Sequence, residues 1–231
     1  AEWRGTKMSN LCDLRQDAQR LAGQNTRIKI CGLKRPEDIE WVNLAKPDFC
    51  GFIVEFPRSS RCVSRELLAE LTAQLDPEII PVGVFVNAPV KLPAELAESG
   101  VIRAIQLHGQ EDEEYIRRLR ELIGGDIPVI QAFSVQTAED LQRAAESSAD
   151  YVLLDQGSGG TGKTFDWSLA EGFTRPFLLA GGLGTDNLAE AIERLSPWAV
   201  DLSSSLEIDG LKDRDKIIEA VNIVRSFEQL K

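Results

Sequence analysis

From Arg27 onward, short runs rich in Val, Ile and Leu alternate with longer stretches of helical period, and the alternation recurs about every 20 to 30 residues. Eight such units follow one another. Their strands are predicted at Ile28 to Cys31, Phe49 to Val54, Ile80 to Val86, Ala104 to Leu107, Val129 to Phe133, Tyr151 to Asp155, Phe177 to Ala180 and Ala199 to Leu202. Almost none alternates polar with apolar residues, as expected of parallel strands covered on both faces. Helix signals fall between them. Ser64 opens an apolar-periodic stretch to Leu75, Thr137 and Asp140 make a capping-box pair, Thr185 precedes Leu188 and Ile192, and Pro36 and Pro89 suit first-turn positions. Eight βα units within 231 residues predict a single closed (βα)8 barrel, the TIM-barrel architecture, since an open doubly wound sheet normally has fewer strands.

Residues 1–26 lie outside this repeat. Leu11, Leu14, Ala18 and Leu21 recur at helical spacing ahead of Gly23, which predicts an extra N-terminal helix packed on the barrel's N-terminal face. The domain reading is therefore an N-terminal extension, 1–26, followed by a catalytic barrel, 27–231. Cys12, Cys31, Cys50 and Cys62 are irregularly spaced and the chain has one histidine, so neither a zinc site nor a disulfide framework is indicated. No apolar run approaches the roughly 20 residues that cross a bilayer, and the first residues lack the apolar core of a secretion signal. A cytoplasmic location with no membrane partner is expected. The net charge of −11 argues against nucleic acid as a partner, because phosphate backbones are held by clustered, uncompensated Lys and Arg.

Barrel chemistry sits at the C-terminal ends of the strands. Those ends carry Cys31, Glu55, Asn87, His108, Ser134, Asp155, Gly181 with Gly182, and Asp201 with Ser203 and Ser204. The set is far more polar than the strands and holds a candidate base, a candidate acid and two loops suited to phosphate. Gly181-Gly182-Leu183-Gly184 permits close backbone approach, and Asp201-Leu202-Ser203-Ser204 supplies hydroxyl and N–H donors. Residues 157 to 164 satisfy the P-loop pattern G-x-x-x-x-G-K-T. Their context disagrees with nucleotide hydrolysis: Phe165-Asp166-Trp167 leads into a short segment closed by Gly172 and Pro176, where a P-loop would open a long helix. A Gly-rich cover over the mouth, with Lys163 near an anionic ligand, is the better expectation.

With these residues in view, the chain resembles the phosphoribosylanthranilate isomerase family. Ile28-Lys29-Ile30-Cys31-Gly32-Leu33 is similar to that family's opening strand, Gln106-Leu107-His108-Gly109 to its fourth, and Gly159 to Trp167 to its sixth-strand loop. Ala180-Gly181-Gly182-Leu183 and Asp201-Leu202-Ser203-Ser204 complete the order. The resemblance implies an Amadori rearrangement of N-(5-phosphoribosyl)anthranilate to 1-(2-carboxyphenylamino)-1-deoxyribulose 5-phosphate, with no cofactor, no metal and a small molecule as the partner. It implies Asp155 as general acid, held protonated, and Cys31 as general base, which needs positive neighbours to become a thiolate. It also implies Arg61, rather than nearby Arg58, on the substrate carboxylate, His108 in substrate contact, and Gly181, Gly182, Asp201, Ser203 and Ser204 at the phosphate. A monomer or a homodimer is compatible with it.

Three positions depart from the family pattern: Ser60 replaces a frequent Pro, Cys62 a frequent aromatic, and Ser205 the usual Gly. The last matters if residue 205 needs a positive φ. The nearest alternative, the barrel isomerase of histidine biosynthesis, carries Asp where Cys31 stands. A thiamine-phosphate-synthase-like transferase would need a pyrophosphate and magnesium site, and a non-catalytic phosphometabolite-binding barrel would need neither Cys31 nor Asp155.

Overall fold

Buried parallel strands must pair along both edges, and this chain meets that demand by closure. The computed structural model describes residues 26–155 and 167–227. The N-terminal helix expected within 1–26 falls outside them almost entirely, as do the P-loop-like segment and Lys163. The elements are β1 (Arg27–Cys31), α1 (Pro36–Ala45), β2 (Phe49–Val54), β3 (Cys62–Val63), α2 (Arg65–Thr72), β4 (Ile80–Phe85), α3 (Lys91–Glu98), β5 (Ala104–Leu107) and α4 (Glu113–Ile123). They continue with β6 (Val129–Ser134), α5 (Ala138–Glu146), β7 (Tyr151–Asp155), α6 (Trp167–Ala170), β8 (Phe177–Leu179), α7 (Leu188–Leu195), β9 (Ala199–Leu202), β10 (Glu207–Ile208), β11 (Leu211–Lys212) and α8 (Arg214–Ser226). β1, β2 and β4 to β9 pair in parallel, and the pairings β1–β2 and β1–β9 close the ring. The chain is a (βα)8 barrel.

Alternate residues of each strand face opposite sides, which sorts the core into two layers. Ile28, Ile30, Phe52, Val152 and Leu154 face the helices and join their buried apolar faces. Phe49, Ile80, Val82, Ala104, Ile130, Tyr151, Leu153, Leu178 and Ala199 fill the barrel interior. Trp198 plugs its lower end, stacked on Tyr151 at 4.2 Å between ring centres, with the Arg27 guanidinium 4.9 Å from the indole centre.

Two short features lie outside the repeat. β3 pairs with β2 at Ile53 and Val54, just past the stretch that β1 occupies, and so extends that edge above Cys31. β10 and β11 form an antiparallel hairpin after β9. Both carry residues that matter at the mouth.

The capping signals at Ser64 and Thr137 are realised: Ser64 Oγ accepts from Leu67 N at 3.2 Å, and Thr137 and Asp140 cap reciprocally. Two helix starts differ from expectation. The helix after Thr185 begins at Leu188 with Asn187 at its cap, because Asn187 closes the preceding turn by accepting from Gly184 N and donating to Gly182 O. Pro89 is not in the first turn of α3 but precedes its cap, Val90, and its carbonyl accepts from Leu92 N.

Candidate active site

The period of two that builds the barrel also places its functional groups. Lys29 and Cys31 share the inward face of β1, and Asp201 lies opposite Lys29 in the β1–β9 register. Lys29 is fully buried, and its Nζ donates to Asp201 Oδ2 at 2.7 Å. Gly51, opposite Cys31 in β2, makes room for both groups: Cys31 Sγ and Lys29 Nζ lie 2.7 and 3.0 Å from the point a Gly51 Cβ would occupy. The ammonium therefore sits beside the thiol and directly beneath it in the barrel.

These neighbours set the ionisation of the thiol. Burial pushes Cys31 upward from the ordinary thiol range, Lys29 and Lys212 pull it back, and the Asp201 charge reinforces the rise, leaving it raised. Lys29 is opposed by burial but held in its charged form by Asp201 and Cys31, so its pKa is raised. A positive neighbour for Cys31 is thus present, shared with a carboxylate.

Across the mouth, Asp155 ends β7 and its Oδ2 stands 3.6 Å from Nε2 of His108, which follows β5. The Gln106 amide nitrogen lies 2.9 Å from His108 Nδ1; with that amide donating, the ring proton is on Nε2, facing Asp155. A brace of neighbouring loops fixes His108. Glu111 accepts from Asn87 N at 2.6 Å and from Gly109 N at 2.7 Å, and Asn87, at φ 52, accepts from Gln110 N through its side chain. A Cβ on Gly109 would meet Asn87 Oδ1 at 2.6 Å, so glycine is required there.

The two loops between Asp155 and Cys31 on the rim belong to β8 and β9. Gly181 and Gly182 adopt φ of 82 and 69, conformations that glycine reaches without strain. Ser203 donates from Oγ to Cys31 O at 3.1 Å and accepts on its carbonyl from Lys212 Nζ at 2.9 Å, which ties the last loop to the end of β1. Ser204 begins a 3-10 turn, Ser204–Leu206, and is exposed. Ser205 sits inside that turn and is not among the positive-φ residues, so its side chain imposes no backbone strain; its Oγ is buried without a partner among the described residues. Asp201 is placed differently from its loop neighbours, with its carboxylate turned into the barrel towards Lys29.

Arg61 reaches the mouth because β3 carries its loop over β1 and because Gly32, at φ 83, has no side chain: a Cβ there would meet Arg61 Cδ at 2.5 Å. Glu207, at the start of the hairpin, accepts from Arg61 Nε at 2.6 Å and Nη2 at 2.7 Å, and from Lys212 Nζ at 2.6 Å. Burial disfavours the Glu207 charge, but these cations outweigh it and hold the carboxyl at about 2. Arg58 is exposed. Lys29, Glu207 and Lys212 were not among the residues singled out from sequence for the site, although Lys29 stands two places before Cys31 on the same strand face.

Cys31, His108 and Asp155 beside two glycine- and serine-rich loops, at the C-terminal mouth of a (βα)8 barrel, make the arrangement of a barrel enzyme. The family model described as N-(5'phosphoribosyl)anthranilate (PRA) isomerase matches residues 28–223. The chain is 47% identical over 205 residues to N-(5'-phosphoribosyl)anthranilate isomerase of Endomicrobium trichonymphae, covering 87% of this chain and 99% of that one. The crystal structure of the Thermotoga maritima phosphoribosyl anthranilate isomerase is 36% identical, with TM-score 0.76, over 87% of this chain and 99% of that chain. A phosphoribosyl anthranilate isomerase in complex with reduced 1-(o-carboxyphenylamino)-1-deoxyribulose 5-phosphate is 35% identical, with TM-score 0.75 and the same coverage. The chain belongs to the N-(5'-phosphoribosyl)anthranilate isomerase family.

Proposed function

We propose that this chain catalyses the Amadori rearrangement of N-(5-phosphoribosyl)anthranilate, with Asp155 as general acid and Cys31 as general base. The observation that carries this reading is the order of groups around the rim: Asp155 on β7, the glycine and serine loops after β8 and β9, Cys31 on β1, and Arg61 above β2. A substrate with a phosphate at one end and an aryl carboxylate at the other spans that arc with its reacting carbons between the acid and the base.

Asp155 gives its proton to the ribose ring oxygen as the C1–O bond breaks and the anthranilate nitrogen forms an iminium. Cys31, as thiolate, then takes the proton from C2, and the electron pair moves into the C1–C2 bond to give an enamine. The enol tautomerises to the ketose. The positive iminium favours an ionised thiol beside it. Two groups in opposite protonation states are sufficient, and no electron acceptor is needed.

Gly181, Gly182, Ser203 and Ser204 take the phosphate through backbone N–H and hydroxyl donors. Arg61 takes the carboxylate. Glu207 covers its Nε and Nη2 side, which leaves the Nη1 and Nη2 edge for a second pair of parallel hydrogen bonds. His108 contacts the substrate next to Asp155. A thiol that must stay reduced to act as a base suits a reducing compartment, which supports the cytoplasm as its place of action. Among the described residues no helix is long and apolar enough to cross a membrane.

Purified protein mixed with N-(5-phosphoribosyl)anthranilate should abolish the substrate's fluorescence far faster than buffer; loss at the buffer rate would overturn the proposal. Arg61→Lys keeps the charge but loses the planar fork. It is expected to raise KM about tenfold to a hundredfold, the ~1.5–3 kcal/mol of a charged hydrogen-bonded contact, with a smaller change in kcat. An unaltered KM would remove Arg61 from the carboxylate site.

A further inference from the structure

We propose that Lys29 is a positioning residue for catalysis, its buried ammonium held beneath Cys31 by Asp201 so that the thiolate forms next to a fixed positive charge. The inference rests on the reading of Cys31 as the base and adds to it the means of its ionisation.

Three observations lead to Lys29. A lysine with no exposed surface is costly, and an apolar pair of similar volume would usually serve stability as well or better. Asp201 does not use the ammonium fully, since only Oδ2 is engaged and Oδ1 is buried without a partner among the described residues. Lys29 has three N–H donors, and Cys31 Sγ crowds the same Gly51 surface as Nζ. An ammonium placed only to neutralise Asp201 has no need of a position against the thiol.

The titratable and charged groups that interact with Cys31 come from several elements. Lys29 lies on β1, Asp201 on β9, Lys212 on β11, Arg61 in the loop before β3, and Cys50 on β2. Lys212 and Arg61 are both tied to Glu207, which offsets their charge. Lys29 is the cation with the largest pull on the thiol, and Asp201 works against it. In the transfer, the C2 proton goes to Sγ and the thiolate charge beside Lys29 is neutralised.

Removing Lys29 alone would strand a buried carboxylate and removing Asp201 alone a buried ammonium, so the test compares the wild type with the pair Lys29→Met/Asp201→Asn, which leaves neither charge unpaired. Two quantities are read: kcat/KM, and the pH midpoint of iodoacetamide alkylation at Cys31, followed on the Cys31 peptide by mass spectrometry. The pair is expected to show a midpoint higher than the wild type by about one unit or more, and kcat/KM at neutral pH lower by about tenfold to a thousandfold, with KM little changed. Lys29→Arg, which keeps the charge beside Asp201, should hold the midpoint near the wild-type value and retain more activity than the pair.

A midpoint and a kcat/KM in the pair equal to those of the wild type would overturn the role of Lys29, leaving it a counter-ion for Asp201. If the pair does not fold, a wild-type midpoint in Lys29→Gln/Asp201→Asn, which keeps polar groups at both positions, would do the same, and a raised one would support the proposal. Full activity in Cys31→Ala would instead overturn the reading of Cys31 as base, so the two failures are separate.

Discussion

Cys31→Ala is expected to lower kcat by about two to four orders of magnitude while KM stays within a few-fold of wild type, the loss associated with removing a general base. The separation of the two constants follows from the geometry. Cys31 Sγ lies beside Gly51 and Lys29 at the barrel's end, whereas the groups proposed to hold the ends of the substrate, the loops after β8 and β9 and Arg61, are separate from it. Truncation removes the proton acceptor and leaves the donors that set affinity in place. Truncation removes a single sulfur atom, so the cavity it leaves is small. Steady-state kinetics decide the matter: turnover within tenfold of wild type would show that another group removes the C2 proton.

The barrel was legible because its signal is repeated. Each buried parallel strand reads as a short apolar run, and the observed bounds differ from the predicted ones by no more than a residue at either end. The helix starts at Ser64 and Thr137 were legible because a capping side chain acts on a backbone N–H three places on. At Asn187 a local turn bond competed with the Thr185 signal and won. β3, β10 and β11 have two residues each, too short for any period to register.

The site divides along the same line. Cys31, His108, Asp155, Gly181 and Gly182 could be collected from sequence since each ends a strand and strand ends converge on one mouth. Lys29, two residues inside its strand, was passed over as part of an apolar run, and its partner Asp201 is 172 positions away in sequence. The period of two held the missing signal: an inward-facing lysine on β1 must find an inward-facing carboxylate on an adjoining strand, and β9 supplies it. Arg61 was found through the family resemblance. Its fork to Glu207 spans 146 positions and depends on a hairpin that no periodicity announces.

These long-range pairs link parts of the mouth that would otherwise be separate. Glu207 binds Arg61 on one side and Lys212 on the other; Lys212 holds the Ser203 carbonyl, and the Ser203 hydroxyl holds the carbonyl of Cys31. Arg61, the loop after β9 and the end of β1 therefore share one hydrogen-bonded chain. Charge-assisted bonds inside it resist small displacements, which keeps the distance between the Arg61 guanidinium and the loop after β9 fixed.

Asp155→Asn is expected to lower kcat by about two to four orders of magnitude and to change the shape of the pH profile. Catalysis requires the ionised thiol together with the protonated carboxyl. That form carries as many protons as the neutral thiol with the carboxylate, so activity falls at low pH, where both groups are protonated, and at high pH, where both are ionised. Asparagine is nearly isosteric and does not titrate. The variant then needs only an ionised Cys31, so its residual kcat/KM should rise with pH and level off, without the alkaline fall of the wild type. Because burial raises Cys31 above the ordinary thiol range, the rise belongs on the alkaline side of neutrality. Both proteins are measured with one substrate, which cancels the titration of its phosphate. A residual activity that still declines at high pH, or a kcat within tenfold of wild type, would place the acid on another residue, and His108, 3.6 Å away, would be the first to replace.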